Sequence, residues 1–243
     1  MHRPGCYRIS NRTVRYHPVR DPRGAPLDDS ASLGRSERQG QVLDAALALL
    51  VAEGDRFTME GVARRASCSK ETLYRWFGDR DGLLTAIVQW QASKVGAGSY
   101  DAARLDATTL RAGLEDFAAT WLGVVSGPAS IALNRAAAAH AGAGKDELGR
   151  IVLSEGRFAI GARVKPLLEA GRKAGLLLFD DVEAAFRTLF GLVSRDVQIR
   201  LLLGDAPLLD APAIARDAAR AADQFLILYS TNPTAAGARQ PSP

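Results

Sequence analysis

The sequence predicts an all-α fold, and three observations carry that expectation. Between residues 36 and 230, apolar side chains recur every three or four positions, the repeat of amphipathic helices. Runs of alternating Val, Ile and Thr are missing, and so is any Asn-Gly hairpin signal. The Ala- and Leu-rich segments are instead punctuated by Gly, Pro and Asp, residues that cap or end helices. Helices are therefore expected near 36–53, 58–66, 69–76, 81–97, 107–125, 128–141, 145–174, 180–203 and 212–230. Residues 1–35 and 231–243, rich in Arg, Pro, Gly and Ser and without periodicity, read as disordered tails, the first of them basic.

The helices divide into an N-terminal unit, 36–81, and a larger one, 82–230. In the first helix Val42, Ala46, Leu49 and Leu50 form an apolar face, and Gly54 ends it. Phe57 is expected beneath the second helix, and Thr58 is a good N-cap for it. That helix turns Val62 and Ala63 inward and Arg64 and Arg65 outward. Ser67-Cys68-Ser69 leaves room only for a tight turn, with Ser69 capping a third helix that Gly78 stops. Two short helices around a three-residue turn, the second with a polar leading end, make a helix-turn-helix. The second spans only about 10 Å at roughly 1.5 Å per residue, enough to lay its first turn in a major groove.

Composition allows this reading without requiring it. The 47% apolar content of the 243-residue chain supports a sizeable core. No stretch approaches the roughly 18 apolar residues of a membrane span, and the arginines near the start flank no secretory apolar run. No membrane association is expected, and the protein is placed in the cytoplasm. Cys6 and Cys68 match neither a disulfide framework nor a metal site, and Cys68 is expected as a buried, inert thiol. Residues 1–35 hold seven arginines against three aspartates, whereas 36–81 carry a net charge of −1. Any affinity of the helix-turn-helix for nucleic acid must come from where its cations point.

The pieces Val42-Leu43-Asp44-Ala45-Ala46-Leu47, Thr58-x-x-x-Val62-Ala63, Cys68-Ser69-Lys70-x-Thr72-Leu73-Tyr74-x-x-Phe77 and Asp79-Arg80-Asp81-Gly82-Leu83-Leu84 resemble the signature of TetR family transcriptional regulators. Arg75-Trp76-Phe77-Gly78 is similar to the QsdR-like branch of that family. The resemblance implies an N-terminal DNA-binding domain followed by an all-helical domain for dimerisation and ligand binding. It puts Thr58, Tyr74 and Arg80 on phosphate-binding positions and Lys70 and Thr72 on base-reading ones, with Ser69, Glu71 and Trp76 in the same surface. Phosphate contacts fix register and base edges supply sequence. Lys70 is able to donate to guanine, and the Thr72 methyl to meet thymine. Three residues depart from the pattern: Ser67 for the usual turn Gly, Glu71 for a small residue, and Trp76 for the usual His. Leu73 and Phe77 are core residues. Packing of Tyr74 and Trp76 on the first helix, and a solvated role for Arg64 and Arg65, are the competing assignments.

In the C-terminal unit, Leu110, Leu114, Phe117 and Trp121 form one apolar stripe. Phe186, Leu189, Val193, Val197 and Leu201 form a second, and Ile214, Ala218, Ala221, Phe225 and Leu228 a third. By the resemblance, the last two helices pair with their two-fold mates, so Phe186, Leu189, Val193, Ile214, Ala218, Ala221, Phe225 and Leu228 are dimer-interface candidates. Packing of the same stripes within one chain is the alternative. A ligand pocket is expected in the middle of this unit, with Trp90, Phe117, Trp121, Arg135, His140 and Phe158 as candidates to line it. The three histidines, His2, His17 and His140, form no metal pair. No Gly-rich phosphate loop or nucleophile elbow accompanies them. No catalytic residue, metal or cofactor is expected. The expected partners are double-stranded operator DNA, a second copy of the chain and an unidentified small-molecule effector. The alternative is a DNA-binding regulator without such an effector, controlled by a protein partner or constitutive.

Overall fold

A computed structural model of the chain describes residues 29–54, 57–142, 146–205 and 209–231. It is built of helices α1 (Asp29–Glu53), α2 (Met59–Arg65), α3 (Lys70–Phe77), α4 (Arg80–Ser93), α5 (Ala107–Val125) and α6 (Pro128–His140). There follow α7 (Glu147–Ile151), a π-helical segment (Val152–Phe158), α8 (Ala159–Lys173), α9 (Val182–Ser194), α10 (Val197–Leu202) and α11 (Ala211–Tyr229). Among the described residues, extended pairing is limited to one isolated antiparallel bridge, Leu177 with Ser230.

Two apolar cores organise these elements. The first gathers Val42, Ala46 and Leu50 of α1, Val62 of α2, Leu73 of α3 and Leu84 and Ile87 of α4 around Phe57. Ala129 and Leu133 of α6 and Ile151 of α7 complete it. A three-helix unit of this size buries too little apolar surface alone, and α6 and α7 supply the rest. The second core joins Phe117 and Leu122 of α5, Val164 and Leu168 of α8, Phe186 and Leu189 of α9, and Phe225 of α11. The passage from one core to the other falls inside α4, between Val88 and Ala92. The sequence boundary at residue 81 therefore does not coincide with a boundary of packing.

Four expectations need correction. The helix α1 begins at Asp29, so residues 29–35 of the expected tail are helical; this segment has no proline, and one glycine does not stop a helix. Residues 1–28 lie outside the described ones. At the other end Thr231 is held, its N–H donating to the Leu176 carbonyl at 3.2 Å and its hydroxyl to that of Gly175 at 2.7 Å; residues 232–243 lie outside. The helix expected over 145–174 carries the π segment in its middle. In a regular α-helix, at about 100° per residue, Ile151 and Ile160 would lie on opposite sides; the looser π turns reduce that offset, and both are buried. Finally, the helix expected over 180–203 breaks at Arg195, where φ is 40°. The Arg195 guanidinium pairs with Asp217 of α11 at the break.

Candidate functional site

The helix-turn-helix is fixed by its caps. Thr58 is extended, and its hydroxyl oxygen accepts from the Gly61 N–H at 3.1 Å, starting α2. Ser69 does the same for α3, accepting from the Thr72 N–H at 3.1 Å. Between them α2 ends in a left-handed turn. The Cys68 N–H donates to the Ala63 carbonyl at 3.0 Å and the Ser67 N–H to that of Arg64 at 3.3 Å, with φ of 49° at Ser67. This double bond pattern is the one that glycine ordinarily closes. Cys68 is half-buried against the first core, more accessible than expected.

Leu73 turns into the core and is fully buried, which leaves Lys70, Glu71, Tyr74 and Arg75 on the outer face of α3. Lys70 Nζ lies 2.9 Å from Glu60 Oε2 of α2. That hydrogen bond and charge hold the Glu60 carboxyl below its ordinary value and raise the Lys70 ammonium. The Glu71 carboxyl is also lowered, first by its own backbone N–H and then by the Ser69 hydroxyl. Thr72 is half-buried and its hydroxyl bonds to that of Ser69 at 3.1 Å. Tyr74 is 51% exposed, whereas Trp76 is half-buried and meets Phe77 edge to face. Arg80 opens α4 with its guanidinium carbon 5.9 Å from the Phe57 ring centroid, a cation on an aromatic face that leaves donors toward solvent. Thus Thr58, Ser69, Lys70, Glu71, Thr72, Tyr74, Trp76 and Arg80 belong to α3 with its N-cap and the segments that open α2 and α4, with Thr72 and Trp76 half-buried and the others exposed. Arg64, Arg65 and Arg75 are further exposed cations in α2 and α3.

Sequence reasoning missed Arg38 of α1. Its guanidinium donates to the Ala66 carbonyl at 2.8 Å and the Ser67 carbonyl at 3.2 Å. A contact across 29 residues leaves no mark in local spacing.

A cavity of about 320 Å³ lies between α4, α5, α6, the π segment, the start of α8, α9 and α10. Val88, Ala92, Trp121, Ile160 and Phe190 give it apolar walls, and Asn134, Arg157 and Gln198 are among its polar groups. Of the six residues expected to line it, Trp121 does so, its indole N–H satisfied by the Ser194 hydroxyl at 2.8 Å. Four of the others lie elsewhere. Trp90 donates to Asp44 at 2.9 Å, joining α4 to α1. Phe117 is buried against Phe186. Arg135 caps α10 through the Leu201 and Leu202 carbonyls. Phe158 is 62% exposed. His140 ends α6, and its side chain lies outside the described residues. Arg157 takes the place assigned to Phe158, one position away. It precedes Ile160 and Val164 by three and seven residues, a spacing that could have found it.

The dimer candidates also need correction. Phe186, Leu189, Val193, Ala218, Ala221 and Phe225 are at most 2% exposed in a single chain, so their side chains are closed to a partner. They pack α9 and α11 against α5 and α8. Ile214 is half-buried, while Leu228 and its neighbour Ile227 are exposed on α11.

Comparison with known proteins places both halves of the chain. A family model for bacterial regulatory proteins of the tetR family matches residues 42–87. A model for the C-terminal domain of AefR-like transcriptional repressors matches residues 112–231. No curated protein matches the chain. Among solved structures, a TetR transcriptional regulator from Agrobacterium tumefaciens is 45% identical, covering 82% of this chain and 97% of its own, with a TM-score of 0.70. A TetR-family regulator from Mesorhizobium loti, 22% identical over 81% of this chain and 98% of its own, shares the fold with a TM-score of 0.63. The flavonoid-responsive regulator FrrA is 25% identical over 81% of this chain and 99% of its own, at a TM-score of 0.58. No helix among the described residues is long and apolar enough to cross a membrane. Being 45% identical to the Agrobacterium regulator over 82% of its length, with a helix-turn-helix under the matching family model, the chain belongs to the TetR family of transcriptional regulators, a non-enzymatic family whose members are generally DNA-binding repressors.

Proposed function

We propose that the protein is a homodimeric cytoplasmic repressor that grips operator DNA through α3 and releases it when a small molecule fills the cavity. In this reading Lys70 and Thr72 meet base edges, while Thr58, Tyr74 and Arg80 hold phosphates. Two-fold symmetry suits a palindromic operator, whose half-sites lie about 34–36 Å apart. The exposed faces of α9 and α11, with Ile227 and Leu228, form the seam between the two copies. The AefR-like match supports repression, and the flavonoid response of FrrA supports an effector in a relative. The QsdR-like resemblance has no counterpart in these matches, and the branch does not enter the proposal.

The observation that carries the reading is the span of α4. Its first residue, Arg80, stands beside the recognition helix, and Val88 and Ala92 form the cavity wall about two and three turns on. Near the cavity α4 is also tied to the π segment, Gln89 donating to Glu155 at 2.8 Å, and to α8, Arg163 donating to the Ala92 carbonyl. A ligand that prefers a tilted α4 shifts the spacing of the two recognition helices. Linkage is reciprocal, so operator DNA weakens ligand binding by the factor by which ligand weakens DNA binding, about 5- to 150-fold for typical couplings. The test has two steps. Operator fragments are selected from genomic DNA, and small molecules are then screened by thermal shift with and without the operator duplex. An effector whose affinity is the same in both conditions would refute induced release.

A further inference from the structure

We propose that the cavity is built for an organic anion, an apolar carboxylate whose charged group is held by Arg157. The inference rests on reading this cavity as the effector site and adds the chemical class of the effector. The Arg157 guanidinium lines the cavity, 4.1 Å from the centroid of the Phe190 ring and 4.6 Å from that of Phe186. The cation lies over two aromatic rings whose planes are tilted 57° to each other, contacts that use the faces of the rings and leave the N–H donors of the fork for another partner. Among the described residues it makes no ion pair. The acid whose charge reaches it is engaged elsewhere: Glu183 pairs with Lys165 at 2.8 Å. Burial lowers the Arg157 pKa from its ordinary value, opposed by the charge of Glu183 and aided by the like charge of Arg187.

Several other arginines of this half are satisfied by the protein. Arg111, Arg172 and Arg195 pair with carboxylates, and Arg135 caps carbonyls. A half-buried guanidinium facing a cavity presents donors that a carboxylate meets two at a time. The remaining walls suit the body of such a molecule. Trp121 offers only its ring, because its N–H is already bonded. At the α6 side, the Asn134 amide donates to the Ser130 carbonyl at 2.8 Å and accepts from the Gln198 side-chain N–H at 3.5 Å, which leaves the Gln198 side-chain oxygen for a polar substituent. The volume stands at the small end of the range for ligand pockets, roughly 300–1,000 Å³.

The test uses the full chain and two matched pairs of probes, 2-naphthoate with 2-naphthamide and octanoate with octanamide, titrated by calorimetry. At least one carboxylate is expected to bind about tenfold or more tightly than its amide, the factor for a single hydrogen bond to a charged group. R157Q should remove that preference by weakening the carboxylate while leaving the amide within about twofold of its wild-type affinity. Melting curves report whether R157Q is folded; R157K, which keeps the charge but not the fork, should retain part of the preference. A merely structural role for Arg157 would shift the melting temperature without changing the carboxylate-to-amide ratio. Equal affinities within both pairs, a preference that survives R157Q, or no binding by any of the four probes would overturn the inference. None of these would decide the repressor reading, which the operator-linked screen judges separately.

Discussion

Arg38 and Ser67 are joined across the DNA-binding unit, the guanidinium on α1 donating to the carbonyl of the turn residue at 3.2 Å. The same guanidinium donates to Ala66 at 2.8 Å. Ser67 holds φ at 49°, where a side chain costs roughly 1–2 kcal/mol relative to glycine. The angle between α2 and α3 thus rests on a strained residue braced from a third helix. Arg38→Ala should lower the urea-unfolding free energy by about 1–2 kcal/mol, and Ser67→Gly should raise it by about 1 kcal/mol. Unchanged stability of the Arg38 variant would dismiss the brace.

Gly82 marks the tightest approach in the unit. A Cβ there would lie 1.9 Å from the Phe77 carbonyl oxygen, a backbone atom that cannot step aside. The Gly82 N–H is also committed, donating to the Asp79 carboxylate at 2.8 Å in the cap of α4. Gly82→Ala should destabilise the protein by about 3 kcal/mol and abolish operator binding. A variant with a wild-type melting temperature would mean that α4 shifts freely against α3, which would also weaken its role as a lever.

The Lys70–Glu60 pair sets a pH expectation. Glu60 is lowered from 4.5, so its contribution is present above that value and lost as pH falls through the folded value. Lys70 is raised from 10.5, so its contribution is present below that value and lost as pH rises through the folded value. Between these limits the pair stays charged, and the Glu60→Gln variant should bind operator more tightly than wild type by a factor that does not change across neutral pH. Fluorescence anisotropy with a labelled duplex measures both curves. Divergence of the two between about pH 6 and pH 9 would remove the pair from recognition.

Arg80→Ala should weaken binding to all sequences alike and flatten the dependence of log affinity on log salt by about one unit. Lys70→Ala should instead relax the preference at one base pair. A change of base preference in the Arg80 variant would reverse the division of roles.

For the dimer, buried and exposed residues of the same helices give opposite expectations. Val193→Arg or Phe225→Arg places a charge in the core of one chain and should unfold it. Ile227→Glu with Leu228→Glu changes only exposed positions and should give folded monomers by light scattering and circular dichroism. A folded dimer from the second pair would put the seam on another face.

The sequence by itself determined what depends on the spacing of a few neighbouring residues. The caps at Thr58 and Ser69, the stop at Gly78 and the core position of Leu73 were all legible there. Such features follow from backbone groups that must be satisfied within a turn or two. Tertiary structure decided what those spacings cannot encode. An apolar stripe says that a face is covered, not by what, and Phe186, Val193 and Phe225 turned out to cover the interior of their own chain. The π segment changed the phase between Ile151 and Ile160, and the cavity received Arg157 in place of Phe158. Arg38 reached a turn 29 residues away. In each case the outcome depends on which surfaces meet after folding, and that is fixed by how whole helices pack rather than by any local run of residues.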